Sequence, residues 1–270
     1  MTKQRADILL AEQGLFHSRS AEQRAIMAGL VSDHNHLRID KSGTKFPEGE
    51  KFYVKDDGKK YVSRGGFKLE KALKVFNIDL TDKICLDIGA STGGFTDVAL
   101  QNGAQMVYAL DVGYNQLAWQ LRDDPRVVVM EKQNFRYSKP EDFDQGLPDF
   151  AMTDVSFISL DLIMAPMYAI LKNQCDAVCL IKPQFEAGPE NVGKHGIVHD
   201  HEVHKAVIEH TMQKALEIGF NVLGVDYSPI KGGKGNIEFL IHLQKDEANG
   251  GRNLWQGSPA EVVERAVSGL

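Results

Sequence analysis

The 270 residues include 43% apolar and 25% charged positions, and 31 Lys+Arg against 37 Asp+Glu give a formal net charge of −6. That is the balance of a soluble globular chain with room for one large core and a small appendage. The opening MTKQRADILLAEQG runs into no unbroken apolar stretch and position 2 is Thr, so neither a secretion signal nor N-myristoylation is expected and a cytoplasmic protein is. The longest apolar neighbourhood, 157–171, is broken by Asp161 and Pro166 and is too short for a bilayer span.

In chain order, Ile8, Leu9 and Leu10 predict a short helix stopped at Gly14, and a second helix is expected from Ser18 or Ser20 to Gly29. Short apolar pieces from Val31 to Val54, separated by Ser-Gly and Pro-Glu-Gly turns, suit a small β-ribbon layer. KDDGKK, 55–60, reads as a hinge. Beyond it the pattern alternates. KICLDI (83–88), MVYALD (106–111), RVVVME (126–131), PDFAMTD (148–154), DAVCLIK (176–182), FNVLGVDY (220–227) and NIEFLIHL (236–243) are strand-like, and helix-like stretches separate most of them. That rhythm predicts an α/β fold with a mostly parallel, doubly wound, Rossmann-like sheet, preceded by a small α+β domain at 1–60. The final two strands lie too close for a crossover helix and are expected to form an antiparallel hairpin. A polar tail from 246 to 270 is expected to end in a helix, Pro259 to Val267, packing through Val262, Val263 and Val267. Cys85, Cys175 and Cys179 lack metal or disulfide spacing and read as core thiols.

After the first sheet strand comes a glycine-rich turn running Asp87, Ile88, Gly89, Ala90, Ser91, Thr92, Gly93, Gly94, Phe95. Such a turn lets a ligand approach the backbone closely. Asp87 would repel a pyrophosphate but suits a ligand bearing an ammonium and a sulfonium. Asp111 closes the second strand, where an acid can take both ribose hydroxyls of a nucleoside. Together these specify an adenosyl ligand, with Asn134 and Phe135 placed to reach an adenine. In open α/β sheets ligands bind at the carboxyl ends of strands. There Asp154 ends the fourth strand and Lys182 the fifth, with Pro183 blocking continuation. Lys68, in SRGGFKLEKAL, and Glu238, in the hairpin strand GNIEFL, complete a candidate set.

In chain order these four resemble the Lys-Asp-Lys-Glu tetrad of ribose 2′-O-methyltransferases of the FtsJ/RrmJ type. SRGGFKL, CLDIGASTGGFTDVAL, TDVSFISL, LIKPQFE and GNIEFL are together similar to the motifs of the TlyA family, over about residues 1–245. The resemblance implies an S-adenosylmethionine (SAM) dependent methyltransferase domain over 61–270, with Lys68, Asp154, Lys182 and Glu238 catalytic and Asp154 also near the cofactor methyl. It implies methylation of cytidine ribose hydroxyls in ribosomal RNA, 16S or 23S, with the RNA or a ribosomal subunit as partner. A ribose hydroxyl is a poor acid, and a lysine can accept its proton if partly neutral, which makes Lys182 the expected base. Through Ser18 to Ala21 and Ile26 to Val31 the resemblance assigns 1–60 to the RNA-binding domain first named for ribosomal protein S-four.

Charge placement agrees with that assignment. Residues 1–60 hold 11 Lys+Arg against 9 Asp+Glu, and the remainder 20 against 28. Lys3, Arg5, Arg19, Arg24, Lys41, Lys45 and Lys51 are the candidate RNA-contacting residues. GKHGIVHDHEVH, 193–204, holds four histidines but reads as a solvated lid and not a metal site. Competing readings are a methyltransferase acting on another RNA or on a base, a membrane-active haemolysin, and a non-catalytic RNA-binding factor.

Overall fold

A computed structural model describes residues 3–16, 19–27, 29–54 and 60–270. It divides into two compact units: 1–60 with 118–120, and 61–117 with 121–270.

The first unit contains strand β1 (Lys3–Arg5), helices α1 (Ala6–Glu12) and α2 (Arg19–Met27), and strands β2 (Val31–Ser32), β3 (Lys45–Pro47) and β4 (Tyr53–Val54). β1 pairs antiparallel with β3, and β2 with β4. Leu9, Leu10, Ile26, Val31, Ile39 and Phe52 close a small core of their own, with Phe46 packed edge-on to Phe52. The predicted helix start at Ser18, and residues 55–59 of the predicted hinge, lie outside the described residues.

The second unit is built on a seven-stranded sheet. Its elements are α3 (Gly66–Val75), β5 (Ile84–Ile88), α4 (Gly94–Gln101), β6 (Met106–Asp111), α5 (Trp119–Arg122, of which 119–120 are grouped with the first unit), β7 (Val127–Glu131), β8 (Phe150–Thr153), α6 (Asp161–Ile170), β9 (Asp176–Ile181), α7 (Pro183–Glu186), α8 (His201–Ile218), β10 (Phe220–Tyr227), β11 (Phe239–Lys245) and α9 (Pro259–Gly269). The strand order is β10-β11-β9-β8-β5-β6-β7. β5 to β9 run parallel, and β11 pairs antiparallel with both β9 and β10. The chain winds outward from β5 through β6 and β7, then returns to β8 on the other side. The carboxyl ends of β5 and β8 therefore flank a topological switch point, the place where such sheets bind ligands.

Strand alternation decides the layers. Leu86, Ile88, Tyr108 and Leu110 face a core shared with α6, α8 and α9, while Asp87, on the opposite face, accepts from α4. Two sequence expectations need correction. Glu238 stands one residue before β11 and not within it, because Asn236 turns away to bond the 196–198 loop. In α9, Val262, Val263 and Ala266 are buried but Val267 is 42% exposed, since the helical repeat carries position 267 off the packed stripe.

Candidate active site

β5 delivers Asp87 next to the glycine turn. The carboxylate is fully buried; Oδ2 accepts from the Thr96 amide at 2.9 Å and the Thr96 hydroxyl at 2.7 Å, and Oδ1 has no hydrogen-bond partner. Burial pushes this carboxyl up to about 7, against the two Thr96 donors. Gly93 caps α4 at φ +97°, a conformation that an L side chain rarely adopts. Gly94 permits close approach of the chain before α3: a Cβ there would lie 2.3 Å from Ser63 Oγ and 2.9 Å from the Gly66 nitrogen. At the end of β6, Asp111 accepts from the Ser91 amide at 2.8 Å and the Gly113 amide at 2.7 Å, which fixes it against the turn.

The four residues expected to share chemistry converge. Asp154 follows β8 directly, and its Oδ1 lies 2.5 Å from Lys182 Nζ while Oδ2 lies 3.1 Å from Lys68 Nζ. Lys68, in the first turn of α3, also reaches Glu238 Oε2 at 2.8 Å. Lys182 follows β9 and donates to Ser156 Oγ at 2.9 Å; Pro183 opens α7 and stops the strand. For Lys68 burial works against the charge, but Asp154 and Glu238 outweigh it and hold the ammonium above the ordinary lysine range. Burial likewise opposes ionised Asp154, and the two lysines overcome it, holding the carboxyl below its usual range. Two lysine amines thus meet two carboxyl groups in one chain of contacts.

The tetrad and the turn line one cavity of about 550 Å³, which also receives Gly89, Ala90, Ser91, Gly94 and Phe95. That volume is within the range of small-molecule and cofactor sites. The lining fits an adenosyl-sulfonium ligand through an orphan buried carboxylate oxygen on Asp87 and a turn of glycines and small residues; Asp111 does not itself line the cavity but bonds the Ser91 amide at its edge. Gly93 faces Leu117 and Leu121 instead of the cavity. Asn134 caps the short turn 135–137, and Phe135 is buried in the core; neither lines the cavity.

Other lining residues escaped the sequence reading. Ser156 holds Lys182, and Phe157 is 90% exposed at φ +63°, paired at 5.1 Å with Phe185. Such a conformation is strained for an aromatic residue and is found where surroundings enforce it. Glu186 supplies part of that enforcement by accepting from Ser159 Oγ at 2.7 Å and the Leu160 amide at 2.9 Å. Of the four lid histidines, His195, His199 and His201 are exposed. His204 is buried against the Val198 carbonyl at 3.1 Å, because it begins the inward face of α8. In the first unit, Lys3, Lys41, Lys45 and Lys51 are exposed; Arg5 is tied to Asp7 at 2.7 and 2.9 Å, and the side chains of Arg19 and Arg24 lie outside the described residues.

Residues 61–245 match the family model of FtsJ-like methyltransferases. The chain belongs to the FtsJ-like methyltransferase family. YqxC of Bacillus subtilis is 53% identical over 98% of the chain and 94% of its own length. The 16S/23S rRNA (cytidine-2′-O)-methyltransferase TlyA of Mycobacterium tuberculosis is 40% identical over 98% of this chain and 97% of its own. A solved structure of a hemolysin-named protein from Streptococcus thermophilus, 52% identical, superposes with a TM-score of 0.76 over 100% of this chain and 97% of that one. This FtsJ-like chain has no described helix long and apolar enough to cross a membrane.

Proposed function

We propose that the chain transfers the methyl group of SAM to the 2′-hydroxyl of a cytidine ribose in ribosomal RNA, and that residues 1–60 form an S-four-like RNA-binding domain. The observation that carries this reading is the Asp154 carboxylate held between two lysine amines beside the glycine turn.

SAM supplies a methyl group made electrophilic by positively charged sulfur. The chain supplies position and a proton acceptor. Asp87, residues 89–92, Gly94 and Phe95 form the cofactor side of the cavity, and Asp111, bonded to the Ser91 amide, would take the ribose hydroxyls from beside it. Lys182 Nζ, in its neutral form, accepts the hydroxyl proton as the oxygen–methyl bond forms and the methyl–sulfur bond breaks. Ser156 and Asp154 fix the direction of that amine. Lys68, kept charged between Asp154 and Glu238, orients the ribose oxygens. Lys3, Arg5 and Lys45 sit on one face of the β1–β3 ribbon, with Arg5 opposite Lys45, a basic surface suited to RNA phosphates.

The test is incubation with labelled SAM and separately purified small and large ribosomal subunits, followed by nucleoside mapping. The expected product is 2′-O-methylcytidine. Lys182→Ala is expected to slow transfer by about 10²–10⁴-fold, with SAM binding within about two-fold of wild type. A base-methylated product, or near wild-type transfer by Lys182→Ala, overturns the reading.

A further inference from the structure

Above the tetrad, the chain between β10 and β11 is a glycine-rich loop carrying two lysines, Lys231 and Lys234. The loop is rigidly built. The Gly232 amide donates to the Asn236 carbonyl at 2.9 Å, and the Gly235 amide to the Gly232 carbonyl at 2.8 Å. The Asn236 side chain ties it to the neighbouring loop, accepting from the Val198 amide and donating to the Gly196 carbonyl. A Cβ on Gly232 would lie 2.4 Å from Glu238 Oε1, so the loop backbone rests on the tetrad carboxylate itself. Lys234 extends along Gly196, its amine 3.5 Å from where a Cβ would stand. At the other end of the tetrad, a Cβ on Gly65 would lie 3.8 Å from Asp154 Oδ2, and the preceding residue is Arg64.

Arg64, Lys231 and Lys234 all line the cavity and all are exposed. No side-chain hydrogen bond or ion pair joins any of them to a described residue, whereas the two tetrad lysines are fully matched by carboxylates. Three uncompensated cations therefore rim a charge-balanced site, on a stretch of chain, 61–270, that carries 28 acids against 20 bases. Unpaired cations so placed favour a polyanion over a small neutral substrate.

We propose that these three residues hold the RNA backbone around the reacting nucleotide, Arg64 taking the phosphate at the Asp154 end of the tetrad and the Lys231–Lys234 loop the phosphate at the Glu238 end. A ribose lies between two phosphates, so gripping both sets the 2′-hydroxyl against Lys182 without contacting a base. This rests on the ribose methyltransferase reading above.

The test uses the full-length chain with ribosomal subunits as substrate. Lys231→Ala/Lys234→Ala and Arg64→Ala are each expected to raise KM for the subunit by about 10-fold with kcat within about two-fold. The dependence of log KM on log salt should become shallower, by about 1–2 for the double variant. SAM affinity should be unchanged, and Lys231→Arg/Lys234→Arg should restore KM. Lys74→Ala/Lys214→Ala removes the same charge elsewhere and should leave KM near wild type. An unchanged KM and salt slope in a wild-type background that methylates ribose overturns the clamp alone. So does weakened SAM binding by the rim variants, or an equal loss in the Lys74/Lys214 control. Absence of ribose methylation by the wild type removes instead the reading on which the clamp rests.

Discussion

Asp87 sits in the surroundings least like water, and its carboxyl is pushed up to about 7 by burial. The folded state therefore binds its proton more tightly than the unfolded chain, whose carboxyl titrates near 4. Between those values the unfolded state releases the proton first, so stability falls as pH rises from about 4 to 7 and stays lower above. Asp154 and Lys68 add no slope in that window. Asp154, held below its usual range, contributes stability that is lost only as pH falls through its folded value, and Lys68, held above its range, only as pH rises through its own. Asp87→Asn keeps the Thr96 contact without the charge. It is expected to remove a pH-dependent loss on the order of 2–4 kcal/mol from denaturant melts of the unliganded protein between pH 4.5 and 8, each pH being an assay condition chosen about this titration. An identical slope in wild type and variant would show that Asp87 is not the group responsible. At this scale the sequence exposed Asp154 and Lys182 plainly, since each is a charge closing an apolar strand. Ser156 and Glu186 were illegible, because their roles depend on how the loop from 155 to 160 folds back. Phe157 opens the longest apolar neighbourhood of the chain, yet it has a left-handed backbone and its side chain is exposed.

Among the elements, the junction of α3 and α4 decides whether the site exists. Lys68 rides on α3 and the glycine turn leads into α4, and Gly94 is where the chain before α3 comes to rest. Gly94→Ala would press a methyl group into the Gly66 backbone nitrogen and Ser63. The expected outcome is about 1–3 kcal/mol of destabilisation in thermal melts. Lys68 would shift with its helix, and methyl transfer would fall by more than the loss of folded protein explains. Activity in proportion to the folded fraction would mean that the two helices move without disturbing the tetrad. The large strands were readable from their apolar runs. β1 was not, because Lys3, Gln4 and Arg5 form a three-residue polar strand whose pairing with β3 is its only signature. Glu238 was found for its charge but misplaced by one residue, since the apolar alternation continues past the true strand start.

Across the whole chain, two separate cores divide the molecule, and the charge follows that division. The small unit's exposed Lys3 and Lys45 belong to a ribbon whose other face packs Phe46 into its own core. Lys3→Glu/Lys45→Glu is expected to weaken ribosomal subunit binding by about 10-fold, measured by filter retention at fixed salt, while SAM affinity and the tetrad variants' effects stay as in wild type. Equal weakening of SAM binding would argue that these lysines support the fold and not the RNA. Domain organisation was legible only coarsely, since a net difference of two charges over 60 residues is a faint signal.

The three thiols extend this whole-chain view. Cys85 and Cys179 lie fully inside the sheet and burial pushes each up to about 12, whereas Cys175 is only half-buried. Alkylating reagents consume the thiolate. Burial raises the Cys175 thiol too, so the native protein is expected to take up a first adduct there slowly and the other two only when the sheet opens, and adduct mass recorded over time becomes an internal stopwatch for global unfolding that requires no engineered label.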